Sequence, residues 1–343
     1  MVKSIVLAEV TRGRIVESVH FGDVAVVDTA GKLLYYAGDP GKVTYMRSAA
    51  KPVQAIAYIE RGGHQRFGFS APEIAVTCAS HSGEDVHVEA VYSILRKIGL
   101  DESYLQCGTH TPVHRPTARR MVVEGRKSTA VHCNCSGKHS GMLTLSVMLG
   151  ADPRGYLDPD GPVQKTILGT ASEMMGVSPG SMILGIDGCG VPVYGVPLTA
   201  MARGFARLSL PSSLSPGRAL AVETISSAMR SYPQMVAGTG RFTTDLLTQA
   251  GDRILSKSGA EAVYCMALVG KGIGVAFKVA DGESRPIAPA AIEILRQLDA
   301  ITQEDIKALA GWAHPVIKNL RGEVCGEIRP AVELVAAGDG LPR

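Results

Sequence analysis

Ala262-Val263-Tyr264-Cys265-Met266-Ala267-Leu268-Val269, then Gly270-Lys271, then Gly272-Ile273-Gly274-Val275-Ala276-Phe277-Lys278-Val279, is the stretch on which the fold turns. Two apolar, β-rich runs split by a Gly-Lys pair predict a β-hairpin. The first forty residues have the same character. Runs at 5–10, 15–20, 24–28 and 32–36 are short and β-rich, with turns predicted at Arg12-Gly13, Gly22-Asp23 and Ala30-Gly31. Between these ends the pattern is helical. Residues 52–60 read as a helix ended by Gly62-Gly63, and Ser70-Ala71-Pro72-Glu73 is a capping box opening a helix near Ala71. Residues 87–98 place Val88, Val91, Ile94, Leu95 and Ile98 at helical period. Further helices are predicted at 116–124, 139–149, 163–175, 198–206, 217–230, 243–255 and 290–299, with a short buried strand at 183–186. Strands at both ends and helices between them predict an α/β fold of the α+β type. Its central mixed or antiparallel sheet is drawn from both termini and flanked by helices. With no internal repeat, residues 1–343 read as one domain.

Composition excludes several classes. At 45% hydrophobic and 20% charged residues, the chain has the mix of an ordinary globular protein. The net charge of +3 is spread along the sequence, which leaves no footprint for nucleic acid. The densest basic cluster, Arg115, Arg119, Arg120, Arg126 and Lys127, reads as a solvated helix face. No run approaches the roughly 20 apolar residues that span a bilayer. The seven cysteines are an odd number, and the N-terminus lacks a secretory pattern. Reduced thiols in a cytoplasm are therefore expected.

The chemistry starts at Ser48-Ala49-Ala50-Lys51. One helical or 3₁₀ turn puts serine and lysine on the same face, and Pro52 marks a helix start whose free N–H groups favour negative charge. Serine needs a base, and lysine can be one when its pKa is depressed. About one S-x-x-K is expected by chance in a chain of this length, so the motif alone decides little. Two more elements give it weight. Ala79-Ser80-His81-Ser82-Gly83-Glu84 supplies a second serine, and Lys257-Ser258-Gly259 a second lysine. The order S-x-x-K, serine, K-[ST]-G parallels that of penicillin-recognising serine enzymes, although Ser80-His81-Ser82 is not S-D-N. His132-Cys133-Asn134-Cys135-Ser136-Gly137-Lys138-His139 and Gly185-Ile186-Asp187-Gly188-Cys189-Gly190 form a further pair of clusters. Two readings stand for their cysteines: a transition-metal site, or buried structural thiols. Asp187 reads either as a holder of a substrate ammonium or as a turn former. His64 and His87 read as surface or helix-face residues, Trp312 as packing, and Cys107-Gly108-Thr109-His110-Thr111-Pro112 as a loop, either plain or lining the site.

Taken together, these motifs resemble the rhizobial-type L-asparaginases, the asparaginase II family. The resemblance rests also on Thr11-Arg12-Gly13, Glu17-Ser18-Val19-His20, Arg47 before Ser48, and Asn319-Leu320-Arg321-Gly322, and it runs to about residue 330. It implies a fold similar to serine β-lactamases and glutaminases, and hydrolysis of L-asparagine to L-aspartate and ammonia. It places two serine–lysine pairs on Ser48 with Lys51 and on Ser80 with Lys257. It places zinc on Cys135, Lys138 and Cys189, and it implies a homodimer. For such a substrate, Arg47 is the candidate for the carboxylate, Asp187 for the α-ammonium, and His139 for orientation. Cys133 departs from the family pattern, as a further metal ligand or as a disulfide partner of Cys135. The segment Arg241-Phe242-Thr243-Thr244-Asp245 also departs. Alternatives are another serine amidohydrolase, of glutaminase or β-lactam-recognising type, and a non-catalytic amino-acid or metal-binding protein.

Overall fold

The computed structural model describes residues 3–338. The chain divides into two compact units. The first comprises residues 3–49, 196–210 and 245–338 of the described chain, the second residues 50–195 and 211–244.

The first unit is built on the sheet expected from both termini. Its main path runs Val316–Lys318, Val324–Pro330, Ile5–Arg12, Ile15–Asp28, Ile273–Val279, Val263–Leu268 and Ile254–Gly259, and every one of these pairings is antiparallel. The predicted hairpin forms, with Leu268 opposite Ile273 and Val263 opposite Lys278. Both of its strands are almost wholly buried, which is why they read as continuous apolar runs rather than alternating ones. Helix Leu198–Ser209 packs on the hairpin and on Ile15–Asp28. Gly274 sets how closely: a Cβ there would lie 1.9 Å from the Ala202 carbonyl oxygen. Helix Ile287–Gln297 packs against Ile5–Arg12 and Val324–Pro330.

One turn expected from sequence is absent. Gly22-Asp23 does not separate two strands but lies inside a single 14-residue strand, Ile15–Asp28. Gly22 is needed there because a Cβ would meet Leu7 and the Lys278 carbonyl, each at 2.3 Å. Asp23, fully buried, accepts from Ser4 Oγ and the Asp39 N–H, both at 2.8 Å, and pairs with Lys42 at 3.2 Å. The polar pair thus serves a bend of the sheet that a local reading takes for a loop. The helix expected at 243–255 also ends early. Phe242–Ala250 is helical, and Ile254–Gly259 is a strand that brings Lys257-Ser258-Gly259 into the sheet opposite Cys265, Tyr264 and Val263.

The second unit is helical. Lys51–Ile59, Ala71–Thr77, Asp85–Lys97, Ser136–Leu149, Pro162–Met175 and Pro216–Ser231 pack on one another. Ser136–Leu149 is its axis, buried at every residue from Ser136 to Ser146. Gly137 and Gly141 make this possible. A Cβ on Gly137 would stand 2.1 Å from the Val76 carbonyl, and one on Gly141 3.3 Å from Thr77 and Tyr58. Glycines four apart share one helix face, so that face meets Ala71–Thr77 backbone to backbone. The capping box is present, with Ser70 N donating to Glu73 at 2.6 Å. The segment 183–186 is a strand, but not a buried one. Ile183–Ile186 pairs only with Pro192–Pro197 and leaves Ile186 83% exposed. An apolar run of four residues does not distinguish an edge from a core strand.

Candidate active site

Lys51 is the first residue of helix Lys51–Ile59 and is 1% exposed. The 3₁₀ turn Arg47–Ala50 leads into it, with Arg47 at a φ of 50°. The left-handed region costs a non-glycine residue roughly 1–2 kcal/mol, and such strain concentrates at functional sites. The lysine Nζ donates to the Ala79 carbonyl at 2.6 Å and to Ser80 Oγ at 3.0 Å. It also lies 3.3 Å from both the Asn134 carbonyl and Cys135 Sγ. One amine thereby joins three of the segments singled out in the sequence.

The Ser80 loop is fixed by buried hydrogen bonds. Ser80 N donates to the Val236 carbonyl at 3.0 Å and Ser82 Oγ to that of Ala237 at 2.7 Å. His81 Nδ1 accepts from the Gly83 N–H at 3.2 Å, and Nε2 lies 2.9 Å from Ser136 Oγ, whose own proton goes to the Val131 carbonyl at 2.8 Å. His81 is therefore an Nε2–H tautomer. Burial holds its pKa well below the usual imidazole value, and His87 and Lys51 add to this. His87 lies on helix Asp85–Lys97, one of the two placements expected, and not at the surface. It is fully buried and stacked on His81 with centroids 5.0 Å apart, its Nδ1 capping Glu84 at 3.1 Å. The capping role lies within the helical pattern, and the stack depends on a loop that periodicity does not place.

In the first unit, Lys257 is 1% exposed and donates to the Ser258 carbonyl at 2.8 Å. Gly259 brings this strand against the serine-bearing turn: a Cβ there would lie 2.8 Å from the Met46 carbonyl and 3.4 Å from Ala49 N. The K-S-G strand end thus approaches the backbone that carries Arg47 and Ser48. Within the units, then, Lys51 meets Ser80, and the Lys257 strand meets the Ser48 turn.

Cys135, Lys138 and Cys189 converge in the second unit, each at most 6% exposed. Lys138 Nζ donates to Cys189 Sγ at 2.9 Å. Hydrogen bonds from Cys133 and then Cys189 push the Cys135 thiol well below the ordinary range against the cost of burial, and Lys51 and Lys138 add to this. Cys189 is raised by its bond to Cys135 and by burial. Burial opposes the Lys138 charge, but Cys135 and Cys189 hold its pKa above the usual value. Two sulfurs and a nitrogen in a dry site suit zinc, whose binding would displace protons from Cys189 and Lys138. Among the described residues no three His, Cys, Asp or Glu side chains form a metal cage, so such a site depends on Lys138. Cys133 donates to the Cys107 carbonyl at 3.5 Å, and the neighbouring Cys107 and Cys135, with burial, push its pKa up. All seven cysteines are free.

Asp187 ends strand Ile183–Ile186, and its Oδ1 accepts the Gly188 N–H at 2.8 Å, the turn-forming role. Its charge also raises the Lys138 pKa. His139, on the buried axis helix, lies 2.6 Å from the Tyr156 hydroxyl. Tyr156 is a site group that the sequence reading missed, since it belongs to no motif of chemical residues, and the Asn134 carbonyl is a backbone group within the 132–139 motif. Trp312 does more than pack, for its Nε1 donates to Asp245 at 2.8 Å. In the altered segment, Thr244 Oγ1 donates to the Gly238 carbonyl at 2.6 Å, a link within the backbone scaffold. The basic cluster is solvated, with Arg120 paired to Asp85 at 2.7 Å on the surface.

The model of the L-asparaginase II family matches residues 8–330. No curated protein sequence matches the chain. Among solved structures, Mglu in its native form is 14% identical, with a TM-score of 0.46 over 83% of this chain and 66% of its own. A β-lactamase from Mycobacterium bovis is 12% identical, with a TM-score of 0.40 over 80% of this chain and 94% of its own. A putative β-lactamase from Bacteroides dorei DSM 17855 is 15% identical, with a TM-score of 0.41 over 80% and 93%. The family match spans nearly the whole described chain and takes in every motif above: the chain belongs to the L-asparaginase II family, and with it to the amidohydrolases.

Proposed function

We propose that this amidohydrolase cleaves the side-chain amide of L-asparagine, giving L-aspartate and ammonia through a serine ester. The observation that carries the reading is the buried Lys51 amine at 3.0 Å from Ser80 Oγ, three residues after Ser48 in the chain. Ser48 Oγ attacks the amide carbon and its proton passes to Lys51 as base. Ser80, hydrogen-bonded to that amine, relays the proton to the departing nitrogen, and the C–N bond breaks to release ammonia. Water then hydrolyses the β-aspartyl ester and returns the proton to Ser48. The backbone N–H groups where helix Lys51–Ile59 begins favour the oxyanion, a contribution of about 3–4 kcal/mol per donor in enzymes of this kind. Lys257, on the strand that approaches the Ser48 turn, is assigned to the second serine–lysine pair.

Arg47 is assigned to the substrate carboxylate, Asp187 to its α-ammonium and His139 to its orientation. Cys135, Lys138 and Cys189 would hold zinc, which when bound supplies a fixed positive charge that orders the site and the substrate. A homodimer in the cytoplasm completes the reading. No helix among the described residues is long and apolar enough to cross a membrane.

A second assignment makes Ser80 the nucleophile, because its hydroxyl is the one at 3.0 Å from Lys51. Ammonia release and mass spectrometry of acid-quenched protein separate the two. Ser48→Ala is expected to abolish the acyl adduct and lower kcat by about 10²–10⁴-fold, with Ser80→Ala slowing turnover while an adduct still forms. The reverse pattern moves the nucleophile to Ser80. Faster ammonia release from glutamine than from asparagine would reject the substrate.

A further inference from the structure

His139 carries a buried polar atom that nothing in the protein satisfies. Its ring is fully buried on helix Ser136–Leu149, and its Nε2 has no hydrogen-bond partner among the described residues. Its other nitrogen is firmly held. Nδ1 lies 2.6 Å from the Tyr156 hydroxyl oxygen, the rings meeting edge to face with centroids 5.4 Å apart. The same phenol oxygen accepts the Gln106 backbone N–H at 2.8 Å.

This arrangement fixes a proton. The Tyr156 oxygen accepts from the Gln106 amide and has one hydrogen of its own to give. Tyr156 is fully buried, and the acceptor in reach of that hydrogen is His139 Nδ1. Were Nδ1 to donate instead, the phenol hydrogen would be stranded in a dry site. Nδ1 is therefore the acceptor, and Nε2 bears the imidazole hydrogen. A buried donor left unpaired costs about 1–3 kcal/mol, so its persistence calls for an acceptor that arrives from outside. His139 N donates to the Cys135 carbonyl at 3.0 Å, and Cys135 Sγ lies 3.3 Å from the Lys51 amine that holds Ser80.

We propose that Tyr156 is a positioning residue: its hydroxyl, oriented by the Gln106 amide, locks His139 as the Nε2–H tautomer, and that N–H donates to an oxygen of the bound amide substrate. The identity of the ligand rests on the asparaginase reading above, whereas the tautomer stands apart from it. The lock also explains the choice of residue. A histidine free to exchange tautomers would offer an acceptor nitrogen to a substrate oxygen part of the time, which repels rather than binds.

Nitrogen-15 NMR of the full chain labelled at histidine tests the lock, with the His139 signal identified by its loss in His139→Gln. The expected spectrum shows an unprotonated Nδ1 and a proton-bearing Nε2 whose shift moves when L-aspartate is added. Tyr156→Phe, which keeps the ring, is expected to let the two tautomers exchange. It should raise KM for L-asparagine roughly 10- to 100-fold with a smaller change in kcat. His139→Gln, which keeps an N–H donor, should retain more activity than His139→Leu. A hydrogen on Nδ1 in the wild type, an Nε2 signal indifferent to L-aspartate, or an unchanged KM in folded Tyr156→Phe would overturn the proposal. If the wild type releases no ammonia from L-asparagine, the substrate reading falls, and the wild-type spectrum still decides the tautomer, whether or not Tyr156→Phe folds.

Discussion

Lys51 shows how one residue is tied to both stability and chemistry. Its amine holds two backbone carbonyls, Ala79 and Asn134, besides Ser80. Lys51→Met keeps the volume and removes every donor. The two carbonyls then stay buried without a partner, at about 1–3 kcal/mol each. Urea unfolding is expected to show that loss, and ammonia release a fall of about 10²–10⁴-fold. Arginine should not restore activity, since a guanidinium does not give up its proton at working pH. At this scale the sequence was legible wherever chemistry uses side chains in motifs. The contacts of Lys51 with Ser80 and of Lys138 with Cys189 join residues that lie in motifs the sequence singles out. Tyr156 does not, because what matters is a contact made 17 residues away from His139 through a hydroxyl that any surface tyrosine also carries. The burial of His87 was not legible for a related reason, as its ring stacks on His81 and meets the Gln234 carbonyl, both outside its own helix.

Elements in this protein are placed as much by glycines as by apolar stripes. Gly137 lets helix Ser136–Leu149 rest on the backbone of Ala71–Thr77, and the same helix presents Lys138 and His139. Gly137→Ala puts a methyl group 2.1 Å from the Val76 carbonyl, where only backbone movement can relieve it. A stability loss of about 1–3 kcal/mol is expected by thermal or urea unfolding. Activity should fall further than that loss explains, because the shift moves a site helix. Retained melting temperature and turnover would show that the two helices can part at no cost. Hairpin 263–279 and the helices between the ends were legible because each buries a long periodic or continuous apolar face. The Gly22-Asp23 step and the exposed strand Ile183–Ile186 were not. Gly22-Asp23 is set by Lys278 and Asp39, outside its own segment, and four apolar residues do not tell an exposed strand from a buried one.

For the molecule as a whole, the decisive fact is that Ile5–Arg12 lies between Ile15–Asp28 and Val324–Pro330. A chain cut after residue 315 loses Val316–Lys318 and Val324–Pro330, leaving Ile5–Arg12 as a bare edge. Such a chain is expected to melt lower and to aggregate, as light scattering during a thermal scan would record. Unchanged melting would mean that the C-terminal strands are ornamental. The expectation of a sheet from both ends was sound because two β-rich regions flank a helical middle. Its strand order was not legible, since apolar pattern fixes which face of a strand is buried and not which strand lies beside it. The same pairing bears on how the protein is made. Ile15–Asp28 leaves the ribosome early, yet its partner Ile273–Val279 is synthesised some 250 residues later. At about 5–20 residues per second, the edge of Ile15–Asp28 that meets Ile273–Val279 waits uncovered for tens of seconds, although its pairings with Ile5–Arg12 and Leu33–Ala37 are local. For that interval the newborn chain is a natural client for a chaperone, and its vulnerability is a matter of timing more than of final stability.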